Sequence, residues 1–144
     1  MYDEILFPTD GGPASQAALD HALDHARRYD ARLHTLYVVD TTAYASLDAG
    51  AETVISSLRQ EGETALEAVA ERADDADVSV VSEIISGSPH KQLTDYAGRN
   101  EIDLIVMGTH GRTGLDRYLL GSVTERVVRT ADMPVLTVRV SDDD

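Results

Sequence analysis

The chain has 144 residues, 42% of them apolar, and no cysteine; this suits one domain with a real core and excludes disulfides, thiol redox chemistry and Cys-ligated metals. Twenty-six acidic residues against twelve Lys and Arg give a formal net charge of −14, which disfavours nucleic acid and anionic lipid as bulk partners. Met1-Tyr2-Asp3-Glu4 is not a signal-peptide start and no apolar run is long enough to cross a bilayer, so the expectation is a cytoplasmic protein without a membrane partner.

Strand and helix alternate along the chain. Ile5-Leu6-Phe7 begins the first core strand. Ala14–Tyr29 carries Ala18, Leu19, Ala22, Leu23 and Ala26 at spacings of three and four, a helix with one apolar face. Leu33–Val39 is the second strand and Thr41–Gly50 a loop. Glu52–Ala73 is a long helix striped by Ile55, Leu58, Ala65, Leu66 and Val69. Asp74–Asp77 reads as a solvated turn and Val78–Ile85 as the third strand. Ser88-Pro89 caps and starts a third helix that ends near Gly98. Asp103–Met107 is the fourth strand, Ser122–Thr130 the fourth helix and Val135–Val140 the fifth strand. Such alternation gives an α/β fold, a parallel sheet covered by helices on both faces. Nothing marks a repeat, a linker or a second domain, so residues 1–144 read as one domain.

The most informative stretch is Val106–Arg112, completed by Leu120–Glu125. Two residues separate Gly108 from Gly111, nine separate Gly111 from Gly121, and Ser122 follows directly. The order is strand, glycine loop, helix N-terminus, with Ser122 as N-cap and Glu125 completing a capping box. Glycines let a backbone approach an oxyanion closely, and a helix N-terminus offers free N–H groups and a partial positive charge. The plainer alternative is a glycine turn needed only for tight packing. No Lys follows the last glycine, so this is not a Walker loop, and the spacing is not Gly-x-Gly-x-x-Gly.

With this spacing the chain resembles the ATP-binding branch of the universal stress protein family, whose pattern is Gly, two residues, Gly, nine residues, Gly, then Ser or Thr. The likeness runs from Ile5 to Val140 and includes the triplet Pro8-Thr9-Asp10 after strand one. It implies a doubly wound five-stranded sheet of order 3-2-1-4-5, which reverses direction between strands one and four; ligands bind at such a switch point. It implies ATP, or ADP or AMP, lined by Pro8, Thr9, Asp10, Met107, Gly108, Gly111, Gly121, Ser122, Val123 and Thr124, with Val38 as the main-chain contact to adenine. It also implies a homodimer through the last strand, residues 134–140, whose pairing would remove an exposed apolar edge.

Each residue also has a plainer reading. Asp10 beside a triphosphate makes sense with Mg²⁺ or Mn²⁺ between them, or else it caps the first helix or forms an Asx-turn before Gly11-Gly12. Val38 and Met107 are equally strand core. Ser122 and Thr124 can donate to phosphate, unless the capping box occupies Ser122. Arg112 could reach a terminal phosphate or be a solvated loop side chain, and His110 is open in the same way. Asp40 is a candidate for ribose hydroxyls or an exposed strand end. Gly87 and Ser88 are explained by the turn before Pro89. His21 and His25, four apart on one helix, could pinch a metal but have no obvious third ligand.

No general base, catalytic Lys or second acid for a metal pair is legible, and no catalytic residue is expected. The reading is a nucleotide-dependent switch or sensor in stress response with little intrinsic hydrolysis. Alternatives are an ATP hydrolase or phosphotransferase on the same fold, or a non-catalytic dimerisation module. A receiver domain wants a Lys after strand five, whereas the sole Lys91 lies on helix three. A flavodoxin-like carrier wants its phosphate loop after strand one. The acidity with a single Lys also resembles proteins of molar salt, where the Debye length is about 3 Å; an ordinary acidic protein is the alternative. No downstream protein partner or stress signal is legible.

Overall fold

Ile5 and Phe7 pack on one side of the sheet and Leu6 on the other, the period-two alternation of a strand buried on both faces. The computed structural model describes residues 1–41, 50–109 and 121–139. These form β1 (Glu4–Pro8), α1 (Pro13–Tyr29), β2 (Arg32–Asp40), α2 (Gly50–Asp75), β3 (Val80–Gly87), α3 (Pro89–Arg99), β4 (Leu104–Gly108), α4 (Ser122–Thr130) and β5 (Val135–Val138). The five strands are parallel and lie in the order β3-β2-β1-β4-β5, as the family resemblance implies.

Two helices cover each face. Ala18, Leu19, Ala22 and Ala26 of α1 and Val69 and Ala73 of α2 pack on Ile5, Phe7, Leu33 and Val106. Leu93, Tyr96 and Ala97 of α3 and Val127 of α4 pack on Leu6, Leu36, Ile105 and Met107. The apolar stripes read from spacing therefore face the sheet. Among the described residues, no helix is long and apolar enough to cross a membrane.

Several boundaries move. Helix α2 runs on through Asp74 and Asp75, so only the end of the expected acidic turn is a turn, with Asp77 at φ 58°. Strand β4 starts at Leu104 and not at Asp103, whose carboxylate accepts the N–H groups of Asp3 and Glu4 at 2.9 and 3.0 Å. Helix α2 also carries a glycine that packing requires: a Cβ on Gly62 would lie 2.6 Å from the Tyr37 ring.

At the amino ends of the strands, His34 is buried between two partners. Its Nε2 lies 2.6 Å from Glu4 Oε1 and its Nδ1 2.8 Å from the Tyr96 hydroxyl. An ionised carboxylate only accepts, so Nε2 carries the proton shared with Glu4. This link joins β1, β2 and α3 at the end of the sheet remote from the glycine loop.

Candidate functional site

The strand register opens a crevice where the sheet reverses. β1 pairs with β2 as far as Pro8–Leu36, and β4 with β5 as far as Gly108–Val138. Between β1 and β4 the described pairing stops at Leu6–Ile105. The carboxyl ends of these two central strands therefore carry no ladder between them. Pro8, which has no N–H to donate, sits where none is needed on that side.

The turn after β1 is held by its own side chains. The Gly11 N–H donates to Thr9 Oγ1 at 3.0 Å and the Gly12 N–H to Asp10 Oδ1 at 2.8 Å. Asp10 thus forms the Asx-turn, whereas Gly12 is the N-cap of α1 and Pro13 its first residue. Gly11 takes φ +79°, a conformation that favours glycine.

Gly108 ends β4 against the start of α1. A Cβ there would lie 2.7 Å from Ala14 Cβ and 2.8 Å from its carbonyl carbon and oxygen. Close packing against Ala14 leaves no room for a side chain here. On the other face, the Thr124 hydroxyl donates to the Gly108 carbonyl at 2.8 Å and is buried. That proton is committed to the main chain, so Thr124 ties α4 to β4. The N-termini of α1 and α4 therefore flank one strand end, and helix N-termini each carry about half a positive charge. Among the residues that the resemblance implies for the pocket, Asp10 carries the one carboxylate.

The start of α4 departs from the expected capping box. The Gly121 N–H donates to the Thr109 carbonyl, and its own carbonyl accepts the Glu125 N–H at 2.9 Å. The first helical hydrogen bond thus begins at Gly121, which is the N-cap, and Ser122 becomes the first helical residue with no side-chain cap. Glu125 instead pairs with Arg129 at 3.2 Å. The exposed Ser122 hydroxyl bonds no described group, and the N–H groups of Ser122, Val123 and Thr124 are those a helix leaves without an internal carbonyl. The Thr109 N–H donates to Val138 at 3.0 Å, which fixes the loop's first residue to β5.

Other candidates fall as follows. Met107 is buried core on the α3–α4 face, and Val38 is half-buried on that same face. Asp40 ends β2 opposite Gly87. Ser88 is the N-cap of α3, but its hydroxyl lies 3.4 Å from His90 Nδ1 and makes no cap bond. His25 Nδ1 bonds the His21 carbonyl at 2.8 Å and its ring stacks on Tyr29, and no group of three metal-binding side chains occurs among the described residues. His110, Gly111 and Arg112 lie outside the described residues, as does Val140, the expected end of the fifth strand. A groove of about 790 Å³ between α1 and α2 is lined in part by the Thr9–Gly11 turn and Ser15; its floor is Phe7, Leu19 and Val69.

Asp10 presents one unused carboxylate oxygen at the end of β1. Its Oδ1 accepts the Gly12 N–H and the Ser15 hydroxyl of α1, and its Oδ2 accepts no hydrogen bond among the described residues. One such oxygen fits Mg²⁺ or Mn²⁺, which take oxygen ligands and usually keep several waters.

Comparison with known proteins agrees with this architecture. The model of the universal stress protein family matches residues 1–139. Universal stress protein MJ0531 of Methanocaldococcus jannaschii is 42% identical over 141 residues, covering 96% of this chain and 83% of that protein. The solved structure of MJ0577, a universal stress protein of the same organism, superposes with a TM-score of 0.88 at 31% identity, covering 99% of each chain. A universal stress protein solved in complex with cAMP superposes with a TM-score of 0.75 at 25% identity, covering 97% of this chain and 99% of that one. The chain belongs to the universal stress protein family.

Proposed function

We propose that this chain binds an adenine nucleotide over the splayed ends of β1 and β4 and acts as a nucleotide-dependent switch or sensor in stress response. The observation that carries the reading is the meeting of two helix N-termini at Gly108, beside a crevice between unpaired strand ends. In a chain of net charge −14, main-chain N–H groups and helix ends supply the local attraction a polyanion needs. The relative bound to cAMP supports adenine as the base. Val38 would meet the adenine, Met107 and Pro8 the walls, Thr9 and Asp10 the ribose–phosphate side, and Gly108, Gly111, Gly121, Ser122 and Val123 the phosphates. Arg112 would reach the terminal phosphate.

Mg²⁺ or Mn²⁺ bound by Asp10 and the phosphates would screen their charge, and Asp10 would hold it from one side. No side chain among the described pocket residues is placed as a general base, which supports binding with little hydrolysis. The reading extends to a homodimer, because β5 lies at an edge of the sheet and a second copy pairing there would cover it.

Calorimetric titration with Mg²⁺-ATP, with product followed in the same samples, tests the reading. Binding without turnover in the wild type, lost in Gly121→Val while the protein stays folded and dimeric, is the expected result. Unchanged affinity in Gly121→Val would remove the loop from the site, and rapid turnover would favour an ATP hydrolase.

A further inference from the structure

We infer that Ser15 is a positioning residue for the nucleotide site, holding the Asp10 carboxylate so that one oxygen is free for a divalent cation. The inference rests on the nucleotide reading above. Ser15 is the third residue of α1 and only 6% exposed. Its hydroxyl donates to Asp10 Oδ1 at 2.9 Å and accepts the Asp10 main-chain N–H at 3.3 Å. Ser15 therefore grips both the backbone and the side chain of a residue five positions earlier.

The arrangement differs from ordinary helix capping. A capping hydroxyl precedes the helix and bonds forward to a helical N–H. Here the N-cap is Gly12, which has no side chain, and the hydroxyl sits inside the helix and reaches backward. The Gly12 N–H reinforces the same Asp10 oxygen. Two donors on Oδ1 leave that oxygen poorly able to bind a cation and fix the rotation of the carboxylate. Oδ2, with no hydrogen bond among the described residues, is the oxygen left for metal. A carboxylate that need not be ordered on binding loses less conformational freedom there.

The position also couples the site to the core. Ser15 follows Ala14, which presses on Gly108, so one turn of helix sets the distance from Asp10 to the end of β4. A free Asp10 would keep its charge and lose its aim.

Mn²⁺-ATP and metal-free ATP are titrated calorimetrically against wild type, Asp10→Ala, Ser15→Ala and Ser15→Thr, with thermal melts alongside. Ser15→Ala is expected to weaken Mn²⁺-ATP about three- to tenfold, the scale of one lost hydrogen bond, with metal-free ATP unchanged. Ser15→Thr, which keeps the hydroxyl, should restore metal-dependent affinity. Should Ser15→Ala fail to fold, Ser15→Cys keeps the volume, weakens the hydrogen bond and carries the same expectation. If Asp10→Ala weakens Mn²⁺-ATP while Ser15→Ala matches wild type, the positioning role is overturned and the nucleotide reading stands. Equal losses for both ligands in Ser15→Ala would likewise overturn it. If Asp10→Ala binds Mn²⁺-ATP as wild type does, the metal role of Asp10 falls, and that of Ser15 with it.

Discussion

A methyl group on Gly108 would stand 2.7 Å from Ala14 Cβ and 2.8 Å from the Ala14 carbonyl. Two of these three contacts are backbone, so the neighbour cannot yield by changing a rotamer. Gly108→Ala must push the first turn of α1 away from β4. Overpacking of this kind costs about 1–3 kcal/mol. The expected result is a melting point lowered by several degrees and weaker nucleotide binding, because Asp10 and Gly108 are moved apart. Ala14→Gly in the same chain removes one of the contacts and should recover part of both losses. Wild-type stability in Gly108→Ala would show that α1 is free to shift.

The Glu4–His34–Tyr96 link sets a pH dependence at the far end of the sheet. Burial pushes the Glu4 carboxyl up; the hydrogen bonds from His34 and Arg32, with their charge, outweigh it and hold it below its usual range. A carboxyl lowered by folding stabilises the protein above the unfolded value, about 4.3, and that contribution disappears as the pH falls through the folded value. Burial first, then the charge of Glu83, raises the Tyr96 phenol. A raised phenol stabilises the fold below about pH 10 and loses that contribution as the pH rises past it. Urea midpoints across pH should therefore fall at both extremes. Glu4→Gln should flatten the acid limb and Tyr96→Phe the alkaline limb. An acid limb unchanged in Glu4→Gln would place it on other carboxylates.

Thr35 offers a stabilising change. It lies fully buried on β2 opposite Phe7, and its hydroxyl has no hydrogen-bond partner among the described residues. An unpaired buried hydroxyl costs about 1–3 kcal/mol, and Val matches Thr in shape and β-branching. Thr35→Val is expected to raise the urea midpoint by the equivalent of about 1 kcal/mol without changing the slope. A lower midpoint would mean that the hydroxyl is satisfied in solution.

The parts of the site that the sequence disclosed are those that depend on local pattern. The helical stripes of α1 and α2, the run Leu104–Met107 and the turn at Thr9–Gly12 all follow from residue type and spacing, and each formed within a few residues of its expected bounds. The strand order came from resemblance, since spacing alone does not order parallel strands. Non-local contacts were hidden. The capping pattern at Ser122 and Glu125 is sound locally, but the bond from Gly121 to Thr109 starts the helix one residue earlier. Thr124 looked like a phosphate donor because nothing in the sequence says that the Gly108 carbonyl lies beneath it. The reason for a glycine at position 62 is likewise non-local, since a Cβ there would meet the Tyr37 ring. Ser15 carried no signal, since its partner belongs to a turn outside the helix.

Salt should separate two opposing electrostatic effects. The described ion pairs of Arg28 with Asp24 and Arg129 with Glu125 lie on helix surfaces with both partners about half exposed or more. Such pairs contribute little, so screening them costs little. The repulsion among 26 acidic residues facing twelve Lys and Arg acts over the whole chain, and it falls as the Debye length shrinks from about 10 Å at 0.1 M to about 3 Å at 1 M salt. The second effect should win, and the melting point in KCl should rise by several degrees between those concentrations. Sulfate strengthens apolar burial in any protein, so chloride is the salt that isolates the charge effect. A flat response in KCl would show that the acidic residues are spaced widely enough to be harmless in dilute buffer, and the chain would then be an ordinary acidic protein rather than one suited to molar salt.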